Sequence, residues 1–278
     1  MTRAGADALR LGLCSVTFRA LTSASVARAA RAAGLAAVEW GADHHAPASD
    51  LDAVRATRKV SEDAGLAVAS YGSYWRAGVD DLTAAEAVVH AARELGAPRV
   101  RVWAGASGTD DTDGATRARV VDGLREFAEL AAAHSVVVGT EFHGNTLTDS
   151  ADATLRLLDD VGHPNLQTYW QPRPGDPDDV AVAGLGRLLD EASVCGVHAF
   201  SWWPTTERLP LDARATLWQN VIGVLGDRDW SGDVLLEFVP DDDPAQLVAS
   251  ADSWRTWAGG ARCEPAHRVR PGRLGRRG

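Results

Sequence analysis

DVLLEFVP (233–240) decides the fold when it is read with the three stretches that precede it, VVVGTEFHG (136–144), NLQTYWQP (165–172) and GVHAFSWW (196–203). Each is a short apolar run rich in β-branched or aromatic residues, the composition of a strand buried on both faces. Each carries a polar group at or near its end: Glu141, Gln171, His198 and Glu237. Their spacings of 30, 27 and 39 residues are about one strand-plus-helix unit each. A parallel crossover therefore brings four polar side chains to the same ends of four consecutive strands.

Working outward, four more runs of this kind precede them: LRLGLCS (9–15), AAVEW (36–40), LAVASY (66–71) and RVRVWA (99–104). Counted as strands, the last four span 135–142, 165–170, 197–202 and 233–238. Between the strands lie Ala/Leu-rich segments of helical period near 23–33, 49–64, 82–95, 114–133, 150–160, 178–192, 211–225 and 244–258. Ser49-Asp50, Thr83, Asp149-Ser150, Asp178-Asp179 and Asp243-Pro244 supply helix-start chemistry. Gly34, Gly65 and Gly96 fall where a left-handed residue closes a helix. Eight strands alternating with eight helices close most simply as a single-domain α/β fold, a (β/α)8 barrel, over 9–258. No G-x-G-x-x-G follows the first strand to favour an open dinucleotide-binding sheet.

Composition limits the partners. The chain of 278 residues carries a formal net charge of −10, which excludes nucleic acid as a partner of the body of the protein. The last 20 residues hold six arginines and one glutamate, so 259–278 reads as a disordered Arg/Gly/Pro-rich tail. No apolar run is long enough for a membrane span, and no signal peptide opens the chain. Cys14, Cys195 and Cys263 are odd in number and scattered, which suits a reducing cytoplasm. A homo-oligomer stays open.

In such barrels the chemistry gathers at the C-terminal ends of the strands. Two carboxylates, one carboxamide oxygen and one imidazole converging there suit a hard or borderline dication, Mn2+ or Mg2+, with Zn2+ or Co2+ as softer alternatives. Without a cation two converging carboxylates repel, and one must stay protonated. Candidate substrate contacts are His143, two residues past Glu141 and so on the same side of an extended strand, Arg173, Glu39, and the strand-end aromatics Tyr71, Trp75, Trp103 and Trp203. Flat aromatic faces stack on the C–H faces of sugar-like molecules while polar groups fix the hydroxyls. Cys14 and Cys195 read as buried strand residues without chemistry.

These stretches, with LRLGLCSVTF and GLAAVEWGAD, resemble the xylose-isomerase-like barrel superfamily, which includes sugar isomerases, ketose epimerases, inosose dehydratase and endonuclease IV. The resemblance covers about 9–258. It implies a divalent metal held by Glu141, Gln171, His198 and Glu237, with Glu141 and Glu237 as the acid–base pair of an isomerase or epimerase acting through an enediolate. The substrate it implies is a sugar or related polyhydroxy carbonyl compound. A dehydratase and a non-catalytic sugar-binding barrel are the alternatives. This chain departs from the family at strand six, where Gln171 replaces an aspartate and Pro174 a histidine. One negative charge is thereby lost.

Overall fold

The computed structural model describes residues 9–260. Eight strands pair in parallel: β1 (Leu9–Cys14), β2 (Ala37–Gly41), β3 (Ala67–Arg76), β4 (Arg99–Trp103), β5 (Val137–Thr140), β6 (Leu166–Trp170), β7 (Val194–Ala199) and β10 (Gly232–Leu236). They form a closed barrel in chain order, with β10 pairing back to β1 through Leu9↔Gly232 to Leu13↔Leu236. Two further strands, β8 (Ser201–Trp202) and β9 (Arg208–Leu209), make an antiparallel hairpin between β7 and the next helix.

Eight helices follow the strands: α1 (Ser23–Ala32), α2 (Leu51–Ala64), α3 (Leu82–Leu95), α4 (Gly114–Ala133), α5 (Ala151–Val161), α6 (Asp178–Glu191), α7 (Ala215–Asp227) and α8 (Pro244–Gly260). Among the described residues no helix is long and apolar enough to cross a membrane. Asp50 and Ser150 cap their helices by accepting from Ala53 N–H and Ala153 N–H. The cap of α3 is Asp81, which accepts from Ala84 N–H, and not Thr83, which lies inside the first turn. Gly34, Gly65 and Gly96 take φ of +65°, +63° and +78°, closing their helices as expected.

The main core lies between barrel and helices. Val, Leu and Trp side chains point outward from the strands and meet the inner helix faces, as where Trp170 of β6 packs edge-on against Trp218 of α7. Leu95, Leu124 and Trp218 are fully buried there. Each such side chain is worth about 1.5–3 kcal/mol of burial. The barrel interior is narrower and more polar. Tyr169 crosses its middle, and a Cβ on Gly139 or Gly196 would stand 2.5 or 2.7 Å from the Tyr169 ring, so glycine is what admits the ring.

Two expectations need correction. The run 197–202 is not one strand. β7 starts earlier, at Val194, and the chain leaves the barrel at Phe200, so that Ser201 and Trp202 fold over the mouth in the hairpin. Of the tail expected over 259–278, Gly259 and Gly260 belong to α8, and 261–278 lie outside the described residues.

Candidate active site at the barrel mouth

The strand ends converge on a cavity of about 210 Å³, lined by Arg101, Glu141, His143, Gln171, Arg173 and Glu237 among others. Backbone pairing sets their heights. Glu141 N–H donates to Val102 O at 2.9 Å and Glu237 N–H to Ala199 O at 3.0 Å, so each carboxylate leaves its strand just as the ladder ends. His198 stands one layer lower on β7, fully buried, with its ring 5.0 Å from Tyr169. The Nδ1 atom of His198 is 3.1 Å from Gln171 Oε1 and 3.7 Å from Glu237 Oε2.

A second group of charges shares the floor. Arg101 of β4 is buried and donates from Nε to Glu39 Oε1 at 3.0 Å and from Nη1 to Glu141 Oε2. Glu39 also accepts from Ser70 Oγ at 2.6 Å. Burial raises the Glu39 carboxyl, but Arg101 and His198 outweigh it and hold the group well below the usual carboxylate range. Glu237 goes the other way. Burial is the largest influence on it, only partly offset by His198 and Arg101, and its carboxyl is raised. Burial, then Arg101 and Arg76, lower His143, which favours the neutral ring. Asn145 N–H donates to His143 Nδ1 at 3.3 Å, so in the neutral ring Nε2 carries the proton.

Aromatic walls flank these charges. Trp103 lies 4.8 Å from His143 and stacks with Tyr74 at 6.4 Å, while Phe200, Trp202 and Phe238 form a second cluster with contacts of 4.9–6.0 Å. Of the residues singled out in the sequence, the structure brings Trp103, Glu141, His143, Gln171, Arg173 and Glu237 to the cavity. His198 and Glu39 lie beneath its floor.

Glu39, an expected substrate contact, is instead buried and outside the cavity lining, and three more expected contacts are corrected. Tyr71 is fully buried on the helix side and donates to Ala46 O at 2.7 Å. Trp75 also faces outward, packing 4.5 Å from Phe127 of α4. Trp203 is 39 % exposed beside Arg214, outside the cavity lining, and its neighbour Trp202 takes the place expected of it. Tyr74, beside Tyr71 and Trp75 at the end of β3, lines the cavity, as do Arg19, Phe200 and Phe238, which were not singled out.

The donors test a dication site directly. Ligands about 2.1 Å from an octahedral ion stand roughly 3 Å from one another along each edge. His198 Nδ1 stands 3.1 Å from Gln171 Oε1, close to such an edge, and 3.7 Å from Glu237 Oε2, somewhat longer than one. Three of the four expected donors therefore fit a dication. Glu141 gives Oε2 to Arg101, which leaves Oε1 as the oxygen it can offer. Cys14, His198 and Glu237 also offer ligand atoms within 4.8 Å of one another, although burial raises the Cys14 thiol well above its usual range.

The family described as Xylose isomerase-like TIM barrel matches residues 27–257. A 3-dehydroshikimate dehydratase of Bacillus anthracis is 42 % identical over 69 residues, a quarter of each chain. A xylose isomerase-like TIM barrel protein from Mycobacterium smegmatis, solved in complex with magnesium, superposes with a TM-score of 0.71 at 16 % identity over 92 % of this chain and 99 % of the other. A D-allulose 3-epimerase from Methylomonas sp., in complex with D-allulose, gives 0.66 at 15 % identity over 89 % and 96 %. Barrels of this kind thus include dehydratases, sugar epimerases and a magnesium-binding member.

Proposed function

The chain belongs to the xylose isomerase-like TIM barrel family, and on that premise we propose that it is a dication-dependent enzyme that removes water from a polyhydroxylated carbonyl compound. The observation that carries this reading is the unequal state of the two carboxylates at the mouth. Glu141 is bonded to the Arg101 guanidinium, whereas Glu237 is free of cationic donors and is made more basic by burial. One carboxylate clear of the Arg101 guanidinium, on one face, suits removal of a single proton followed by elimination.

Glu237 takes the proton from the carbon next to the carbonyl, and the C–H electrons pass into an enolate. The enolate expels the hydroxyl at the β-carbon, breaking that C–O bond and forming a conjugated C=C bond. His143, with its proton on Nε2, donates a hydrogen bond to the departing oxygen. The proton collected by Glu237 leaves with that hydroxide as water, restoring the carboxylate. Gln171, His198 and Glu237 would hold the dication, which polarises the carbonyl when bound. Trp103 and the Phe200–Trp202–Phe238 cluster flank the substrate and limit water. The local identity with 3-dehydroshikimate dehydratase supports this reading.

A second reading, an isomerase or epimerase with Glu141 and Glu237 as the acid–base pair, is favoured by the opening of both carboxylates onto one cavity. It requires Glu141 to act through Oε1, the oxygen that Arg101 does not hold. The deciding experiment incubates the protein and Mn2+ or Mg2+ with inososes, 3-dehydroshikimate and ketohexoses in deuterium oxide, followed by ultraviolet absorbance and NMR. A new conjugated-carbonyl absorbance supports dehydration. Deuterium at an inverted carbon without loss of water supports the second reading and overturns the first.

A further inference from the structure

The buried ring of His198 has two faces with opposite needs. Its Nδ1 looks up at Gln171 Oε1 and Glu237 Oε2, while Nε2 looks down at Glu39 Oε2, 3.6 Å away, and has no hydrogen-bond partner. A neutral imidazole has one proton to place. With the proton on Nδ1, Gln171 accepts it, but Nε2 then presents a lone pair to an ionised carboxylate in a buried site. With the proton on Nε2, that nitrogen stands 3.6 Å from the Glu39 carboxylate, and Nδ1, 3.1 Å from Gln171 Oε1, offers its lone pair to a cation between Gln171 and Glu237.

Glu39 is built to enforce the second arrangement. Ser70 holds Oε2 at 2.6 Å and Arg101 holds Oε1 at 3.0 Å, so the carboxylate cannot rotate away from the ring. Space is reserved for it as well. A Cβ on residue 72 would stand 2.9 Å from both Glu39 Oε1 and Arg101 Nη2, and Gly72 leaves that volume open. No part of Glu39 lines the cavity, so its action on substrate is indirect.

We infer that Glu39 is a positioning residue that fixes His198 in its Nε2–H form and so presents Nδ1 as a cation ligand. A histidine ligand whose other nitrogen donates to a carboxylate is oriented and made more basic by it. This inference rests on the reading of Gln171, His198 and Glu237 as the donors of the dication, and it adds the residue that prepares one of them.

Glu39→Gln is nearly isosteric and separates positioning from bulk. Arg101 only donates, so the carboxamide oxygen of the substituted side chain must face it. The amide NH2 then takes the place of Oε2 and faces Ser70 Oγ and His198 Nε2. An acceptor becomes a donor, and the ring must move its proton to Nδ1. The readouts are the nitrogen shifts of His198 in 15N-histidine-labelled protein, with and without Mg2+, and Mn2+ affinity by titration. Wild type is expected to show the Nε2–H form, Glu39→Gln the Nδ1–H form, and Mn2+ affinity should fall about 10- to 100-fold. Ser70→Ala keeps the charge but frees Oε2, and is expected to lose less affinity than Glu39→Gln. A folded Glu39→Gln protein with unchanged His198 shifts and Mn2+ affinity within twofold of wild type overturns the inference. Should wild type bind no dication, the dication part of the proposed function fails. The nitrogen shifts of the metal-free proteins still decide the role of Glu39.

Discussion

Two arginines stand two residues apart on β4 and point into the same barrel, yet they live in different chemistry. Arg99, at the lower end, donates to Ala69 O, to Cys195 O and to Asp233, and Asp233 is closed from the other side by Arg10 at 3.0 Å. Arg101, at the upper end, joins Glu39 to Glu141 beneath an open cavity. At the upper end the buried nitrogens His198 Nε2 and Trp103 Nε1 lack partners. Buried polar groups are usually satisfied, and exceptions call for an explanation. The lower cluster is saturated and serves the fold. The upper one lies under an open cavity and turns the Glu237 carboxylate toward it.

This contrast breaks if the two ends respond alike to mutation. Asp233→Ala leaves Arg99 buried against an uncompensated site, and removing one member of a buried pair costs about 3–5 kcal/mol. Urea denaturation is expected to show that loss, while the folded fraction keeps its cation affinity. A variant of wild-type stability with a damaged cavity would reverse the assignment of the two layers. Glu237→Gln is the counterpart above. It removes the free base, and turnover and solvent-proton exchange at the substrate α-carbon are expected to drop about 10²- to 10⁴-fold. Its stability should stay within about 1 kcal/mol of wild type, because the lost charge was already disfavoured by burial.

The same contrast explains what could be read in the chain and what could not. Glu141, Gln171, His198 and Glu237 each end or nearly end a strand one βα unit after the last, and period plus spacing places such residues without coordinates. RVRVW also carries a legible signal: alternation puts Arg99 and Arg101 on one face of β4 and Val100 and Val102 on the other, in the core under the helices, which leaves the arginines to the interior. Tyr71 and Trp75 were not legible because counting by twos fails across a bulge. The register of β3 slips against β2 between Val38 and Glu39 and against β4 between Gly72 and Arg76. The first slip changes which side chains face in, so Tyr74 reaches the cavity while its neighbour Trp75 turns to α4. Trp203 was misplaced for another reason. The chain leaves the barrel at Phe200, and beyond that point strand parity no longer decides direction.

Gln171 sharpens the comparison at the upper end alone. It is 5 % exposed and offers a neutral oxygen where a carboxylate would add one charge to the donor set. Cation affinity rises with the number of charged ligands, so Gln171→Asp is expected to tighten Mn2+ binding by about tenfold. Titration of the purified variant reads this directly. Unchanged or weaker binding would mean that Gln171 Oε1 does not face the ion, and the three-donor site would lose a member.

The smallest effect belongs to a histidine that resembles the lower layer in having both nitrogens satisfied. His45 Nδ1 meets Ser15 Oγ at 3.0 Å and Nε2 meets Leu21 O at 3.1 Å, whereas His198 keeps Nε2 open. Burial lowers the His45 pKa below its ordinary 6.5, against smaller opposing contributions from Leu21 O and Asp43. The folded ring therefore resists a proton that the unfolded chain accepts. The stability this group contributes is fully present above the unfolded pKa, and it is lost as pH falls from about 6.5 toward the lower folded value. Melting temperatures at pH 7.5 and pH 5.5 should differ less in His45→Gln than in wild type, with turnover at pH 7.5 nearly unchanged. A large loss of turnover in that variant would place His45 with the upper layer, and satisfied hydrogen bonding would no longer separate structural from chemical groups in this barrel.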